Sequence, residues 1–313
     1  MKLKKIKICF IGLGSIGKRH IKNIVTILNE RNIEYEIDAV RSKKSSLPDE
    51  VLNHISKEYY EVDKIPEDYD VIFITNPTDK HYDTMVSVMN KTKYMFVEKP
   101  IFHKVELDYS MLMDKNIYVA CPLRHHPVFG KIKEIIQKEE VIAVRAITSS
   151  YLPYWRKGVD YRKTYSSNKK QGGGVSLDLI HEWDYLVDLF GFPQKITNIQ
   201  KKVSNLEIDC EDISLYIAEY NDKVIELHLD YIGQKTERKL SIFTNKSRID
   251  ADFINNKIEV ITNNVVIKTY LIDAEDIYIN EMNYFINYCE CNESDINSAS
   301  QAVKVLQIAV EGV

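Results

Sequence analysis

"FIGLGSIGKRH", residues 10–20, places Gly12, Gly14 and Gly17 in GxGxxG spacing between an apolar run and an amphipathic one. The run "KIKICFIG" (5–12) reads as a buried strand and "IGKRHIKNIVTIL" (16–28) as a helix. At such a turn Gly12 allows the tight bend, and Gly14 lets the backbone approach a pyrophosphate. Gly17 lets helix and strand pack closely, while Ser15 and Ile16 open the helix whose N-terminus would meet the phosphates. The spacing alone is weak, but its place between a strand and a helix makes it a dinucleotide-binding signature.

The pattern outward from this turn agrees. "EYEIDAV" (34–40), "YDVIFITN" (69–76), "KYMFVEKP" (93–100) and "NIYVAC" (116–121) read as further strands, with "HYDTMVSVMN" (81–90) as a helix between two of them. Strands alternating with helices imply a parallel, doubly wound sheet with its ligand at the carboxyl edge. The second strand ends "DAVRSKKS", with Arg41 and Ser42 where an acid normally reads the ribose of NAD, and Lys43 and Lys44 close behind. Those groups suit a 2′-phosphate, so NADP is favoured over NAD.

Beyond residue 122 the pattern changes. "PVFGKIKEIIQKE" (127–139) reads as a helix and "VIAVRAITSSYL" (141–152) as a strand. "GGGVSLDLIHEWDYLVDLFG" (172–191) reads as one amphipathic helix opening on three glycines that would let backbone approach a ligand. Its Asp178, His181, Glu182 and Tyr185 fall at helical spacing on a second, polar stripe. Strand-like runs follow at 195–203, 212–220, 223–232, 238–244 and 257–264, joined by turns such as "YNDK" and "INNK" that favour antiparallel pairing. Two helices, near 277–289 and 298–310, close the chain.

Composition narrows the function. The 313 residues are 44% hydrophobic and 28% charged, with a net charge of -4, which argues against disorder and against a general nucleic-acid or membrane-surface binder. No segment has the roughly 20 apolar residues of a membrane span. Five cysteines without disulfide or zinc spacing suit reduced thiols in a cytoplasm, and no histidine, cysteine and carboxylate set has metal spacing, so no metal is expected.

Three motifs carry a family resemblance: Glu98-Lys99-Pro100 at one strand end, Asn76-Pro77 at another, and "GGGVSLDLIHEWD". With the glycine turn they resemble the glucose–fructose oxidoreductase and inositol dehydrogenase family (Gfo/Idh/MocA) over nearly the whole chain. The resemblance implies an α/β fold: an N-terminal Rossmann domain with a doubly wound parallel sheet (1–122), and a C-terminal α+β domain with a large, mostly antiparallel sheet (123–313). It also implies a nicotinamide cofactor, a sugar or cyclitol substrate, and a homodimer or homotetramer formed through the C-terminal sheet.

The family's lysine carries over to Lys99 and its helix-borne pair to Asp178 and His181. The usual Asp-x-x-x-His is shortened here to Asp-x-x-His, with Glu182 at the fourth position, which leaves open whether His181 or Glu182 faces the substrate. Lys99 and His181 are the candidate proton carriers and Asp178 would orient the reacting hydroxyl. Asn76, Pro77, His81, Glu98 and Lys99 join the glycines, Arg41 and Ser42 as cofactor contacts. For the substrate, "YLPYWRKGVDYRKTYSSNKKQ" supplies Tyr154, Trp155, Arg156, Tyr161 and Arg162, and "CPLRHHP" adds Arg124 and His125. Aromatic faces suit sugar rings and guanidinium groups suit carboxylate or phosphate. The combination of "RHHP", "YWRKGVDYRKTYS" and "DLIHEWDYL" resembles a branch of the family found with nonulosonic-acid and other surface-glycan pathways, which implies an anionic or nucleotide-linked sugar. The competing expectations are a glycoside hydrolase of this fold that oxidises transiently with tightly held NAD, and a non-catalytic dinucleotide sensor.

Overall fold

The protein is described from a computed structural model, which covers residues 4–44, 46–291 and 297–311. Its backbone divides into two compact units: Met1–Pro122 with Tyr278–Val303, and Leu123–Ile277 with Lys304–Val313.

The first unit contains six strands, β1 (Lys5–Ile11), β2 (Glu34–Val40), β3 (Ile55–Tyr59), β4 (Tyr69–Ile74), β5 (Thr92–Val97) and β6 (Asn116–Val119). All pair in parallel in the order β3-β2-β1-β4-β5-β6. The order reverses direction at β1 and β4, the point where a doubly wound sheet opens a crevice for a dinucleotide. Helix α1 (Ser15–Glu30) follows the glycine turn and buries Ile21, Ile24, Ile27 and Leu28, one face at helical spacing. It stops at Asn32, whose φ of 56° makes a left-handed cap, and Ile33 N donates back to Leu28 O at 2.9 Å. The short helix α2 (Asp49–Leu52) and helix α3 (His81–Val88) complete the crossovers.

Residues 278–303 belong to this unit, so the division into contiguous stretches 1–122 and 123–313 needs correction. The cause is the apolar face of the later helix α7. Its Met282, Phe285, Ile286 and Tyr288 enter the same core as Phe73, Phe96 and Tyr118, with Phe285 edge-on to Phe96 at 5.1 Å.

Along the chain, the second unit begins with helix α4 (Pro127–Ile136) and strand β7 (Val141–Tyr151). Helices α5 (Val175–Asp178) and α6 (His181–Phe190) come next. Strands β8 (Lys195–Lys201), β9 (Ile213–Glu219), β10 (Val224–Asp230), β11 (Ile232–Thr244), β12 (Arg248–Asp252), β13 (Lys257–Thr262) and β14 (Val265–Leu271) follow. Helix α7 (Ile277–Cys291) and helix α8 (Ala299–Glu311) end the chain. The eight strands form one sheet in the order β14-β13-β12-β11-β7-β10-β9-β8; only β7 and β10 pair in parallel. Asn263 and Asn264, both at positive φ, turn β13 into β14. α6 packs Trp183 edge-on to Tyr216 of β9 at 5.2 Å.

The stretch 172–191 is not one helix. Leu179, at φ -99° and ψ 23°, breaks it into α5 and α6. Asp178, Glu182 and Tyr185 are buried rather than forming a solvated polar stripe, and His181 is half-buried. Gly173 and Gly174 approach the protein itself. A Cβ on Gly173 would lie 2.3 Å from Tyr165 O, and one on Gly174, at φ 116°, would lie 2.3 Å from a Glu211 carboxylate oxygen. Gly173→Ala should therefore destabilise the protein by roughly 3 kcal/mol, because the atoms it meets are backbone and cannot swing aside. Urea unfolding should show this as a lowered midpoint.

Candidate functional site

In the first unit the residues singled out from the sequence gather at the carboxyl edge of the parallel sheet. Gly12, at φ 96°, follows β1, and a Cβ there would lie 2.7 Å from the backbone of Asn76, which follows β4. Gly17 is equally tight, its Cβ position lying 2.4 Å from Gly12 O. Thr75 Oγ1 donates to the same carbonyl at 2.5 Å. Gly14 has open space where a Cβ would be, and the helix begins on it with no side chain capping its amides. Asn76 Nδ2 donates to Thr84 Oγ1 at 2.8 Å, while its Oδ1 is buried without a hydrogen-bond partner. An open cradle, uncapped helix amides and an orphaned acceptor fit a dinucleotide whose pyrophosphate meets the helix. Gly12, Gly14, Ser15, Ile16, Gly17 and Asn76 would hold it.

Two members of the expected set do other work. His81 is buried, with Nε2 3.0 Å from Asn76 O and Nδ1 3.1 Å from Pro100 O. Burial keeps its pKa below the ordinary histidine value despite those carbonyls. It ties the turn after β4 to the turn after β5 and offers no free nitrogen to a cofactor. Arg41 is buried too, in an ion pair with Glu58 of β3. Ser42, Lys43 and Lys44 are exposed beside it, and Pro77 is exposed after β4.

β5 delivers Glu98 and the half-buried Lys99, followed by the cis Lys99–Pro100 bond. Glu98 Oε1 lies 2.5 Å from Nε2 of His20, a buried α1 residue. Burial would push the Glu98 carboxyl up, but the His20 hydrogen bond and charge, with Lys99 and His81, bring it net below the usual carboxylate range.

In the second unit Asp178 Oδ2 accepts from Tyr231 OH at 2.6 Å, and Tyr165 also hydrogen-bonds this carboxylate. The Asp178 charge, with burial, holds the Tyr165 hydroxyl well above the ordinary tyrosine value. Neither tyrosine carried a sequence signal for this pairing. Glu182 is fully buried and accepts from Arg238 Nε at 2.9 Å, so its placement among substrate contacts is corrected; the half-exposed ring of this stretch is His181. Arg124 is likewise engaged. Nε and Nη2 clasp the Asp184 carboxylate at 3.0 and 2.7 Å, and Nη1 meets Asp188 at 3.1 Å. Arg162 pairs with Asp160 and Glu207 on the surface.

A small, shallow cleft lies among Leu152, Trp155, Arg156, Tyr161 and Thr164. Trp155 Nε1 donates to Ser150 Oγ at 2.8 Å, Arg156 lies over the Tyr165 ring at 5.5 Å, and Tyr154 is 74% exposed.

Residues 6–112 match the model of an oxidoreductase family with an NAD-binding Rossmann fold. Over that stretch the chain resembles this family, Gfo/Idh/MocA. It is 25% identical over 198 residues to scyllo-inositol 2-dehydrogenase (NAD(+)) of Bacillus subtilis strain 168. That similarity covers 60% of this chain and 54% of the relative, so it spans about half the relative's length. Among solved structures, levoglucosan dehydrogenase in complex with NADH and levoglucosan superposes with a TM-score of 0.82 at 15% identity, covering 97% of this chain and 95% of the other. UDP-N-acetylglucosamine 3-dehydrogenase of Acidithiobacillus ferrooxidans gives 0.78 at 16% identity, covering 98% and 96%. These likenesses establish a shared fold. Among the described residues no helix is long and apolar enough to cross a membrane.

His125 supplies a pH test. Burial, reinforced by the neighbouring Arg124 charge, lowers its pKa to about 4. The unfolded chain, with histidine near 6.5, then binds the extra proton first, so stability is full above that value and falls as pH drops toward 4. The loss from this group is at most about 3 kcal/mol. Urea midpoints between pH 7 and 4.5 should fall, and His125→Asn should flatten the slope.

Proposed function

We propose that the chain is a nicotinamide-dinucleotide-dependent oxidoreductase acting on a CH–OH group of a sugar, one bearing an anionic or nucleotide-linked group in surface-glycan metabolism. The observation that carries this reading is the placement of Lys99 on the same carboxyl edge as the uncapped glycine turn. When bound, the nicotinamide supplies the hydride chemistry. The protein must position the substrate and move one proton. Lys99, at the tip of β5, is the group to hold the proton of the reacting hydroxyl.

In the second unit, His181 is the candidate proton carrier of its own stretch, since Glu182 is committed to Arg238. Asp178, fixed by two tyrosine hydroxyls, is the acceptor that orients a substrate hydroxyl. With Arg124 and Arg162 already paired, recognition of an anionic group falls to Arg156 beside Trp155 and Tyr161. The levoglucosan, scyllo-inositol and UDP-N-acetylglucosamine named for the similar proteins support a sugar or cyclitol as the substrate class.

The cofactor is NAD or NADP; the sequence argument for NADP now rests on Ser42, Lys43 and Lys44, since Arg41 is held by Glu58. A second copy is the partner we infer for the outer face of the eight-stranded sheet, where Ile199, Ile217 and Val224 are each more than 40% exposed. Light scattering should return the mass of a dimer or tetramer, and charged substitutions at Ile217 and Ile199 should return the monomer.

The activity is tested by following NADH or NADPH formation with myo-inositol, glucose, glucuronate and UDP-N-acetylglucosamine. Lys99→Ala should cut turnover by about 10² to 10⁴, the range for removing a general acid–base group, while dinucleotide affinity changes little. Wild-type turnover in that variant would overturn the assignment.

A further inference from the structure

The arginine at the end of β2 has a partner that changes what this strand tip can recognise. Arg41 stands one residue past β2, where a Rossmann fold reads the adenosine ribose. A free guanidinium there would favour a 2′-phosphate through charge-assisted hydrogen bonds. Here the Arg41 side chain is 6% exposed, and its Nη1 is ion-paired to Oε1 of Glu58. The backbone fixes the pair: Ala39 of β2 stands opposite Glu58 of β3, and Arg41 N donates to Tyr59 O at 2.9 Å. Tyr60 OH donates to the other Glu58 oxygen at 3.1 Å. The Glu58 side chain itself is 23% exposed. The tip therefore presents a neutralised guanidinium beside a carboxylate that still reaches solvent.

We propose that Glu58 is a specificity-determining residue for the cofactor, setting the chain to accept the unphosphorylated ribose of NAD at least as well as the phosphorylated ribose of NADP. Glu58 acts in two ways. It occupies the cation that would bind a 2′-phosphate, and it adds a carboxylate that repels one while remaining able to accept from ribose hydroxyls. A lone acid at the end of β2 is the familiar device. Here the acid comes from the neighbouring strand and is paired with an arginine. The proposal rests on the dinucleotide reading of the glycine turn.

The test is direct binding, read from nicotinamide fluorescence with NADH and NADPH and from competition by 5′-AMP and 2′,5′-ADP. Wild-type protein should bind NADH at least as tightly as NADPH, and 5′-AMP should compete at least as well as 2′,5′-ADP. Glu58→Gln keeps the shape and an acceptor for Arg41 but removes the charge. It should tighten NADPH about tenfold and leave NADH within about twofold, and adding Arg41→Ala should abolish the gain. A clear wild-type preference for NADPH, or an unchanged NADPH affinity in Glu58→Gln with a wild-type melting temperature, overturns the proposal. A gain that survives Arg41→Ala overturns it as well. Should Glu58→Gln fail to fold, the wild-type competition between the two adenosine phosphates decides alone. Failure of both dinucleotides and of 5′-AMP to bind would sink the dinucleotide reading itself, a result distinct from any of these.

Discussion

The close approach of backbone to backbone at the end of β1 is the constraint on which the first unit depends. Gly12 lies against the Asn76 backbone and Gly17 against the Gly12 carbonyl, at separations that no side chain could share. These contacts draw β4 and α1 onto the same turn, and Thr75 closes it by donating to Gly12 O. The inner side of the turn is thus saturated while its outer side, at Gly14, is open. Rigidity and availability come from one arrangement: the amides that begin α1 are held in place by packing behind them and left uncapped in front. A side-chain cap would have stabilised the helix locally by about 1 kcal/mol and competed for the same donors.

Where a residue's role was set by its immediate neighbours, the sequence was a good guide. The glycine turn, the alternating strand and helix patterns and the hairpins of the large sheet depend on spacing and turn chemistry that a short window contains. Elements whose identity depends on distant packing were harder to see. β3, the edge of the parallel sheet, has only half-buried and exposed residues, and β12 has five residues in all. The exposed edge strand β14 lacks the alternation of a half-buried strand. The break at Leu179 follows no proline or glycine, and the apolar face of α7 gave no sign of which core it would cover.

Charge was the least legible property of the candidate site. Arg41, Arg124 and Arg238 each find their carboxylate far along the chain, at separations of 17, 60 and 56 residues. His20 meets Glu98 across 78. Residue type predicts that a guanidinium can bind an anion, but whether that anion is a ligand or the protein's own side chain is decided by tertiary structure. Three of the four arginines taken as ligand contacts, Arg41, Arg124 and Arg162, are held by protein carboxylates. Arg156 instead sits over an aromatic ring at the cleft, which leaves the remaining positive charge at a narrower place than composition suggested.

The two carboxylates of the stretch 178–182 show how partner chemistry separates roles that look alike in sequence. Both are buried, and a buried carboxylate must be hydrogen-bonded. Glu182 meets a guanidinium, which donates to Oε1 at 2.9 Å and offsets its charge. Asp178 accepts from two phenolic hydroxyls, Tyr231 at 2.6 Å and Tyr165, which are neutral donors. In a low-dielectric interior a carboxylate acts strongly on the dipoles beside it, and here the Asp178 charge, with burial, holds the Tyr165 hydroxyl above its ordinary pKa. The two acids stand four residues apart at helical spacing, yet the donors that meet them come from different strands and loops, so their surroundings are set by tertiary structure and not by the spacing itself.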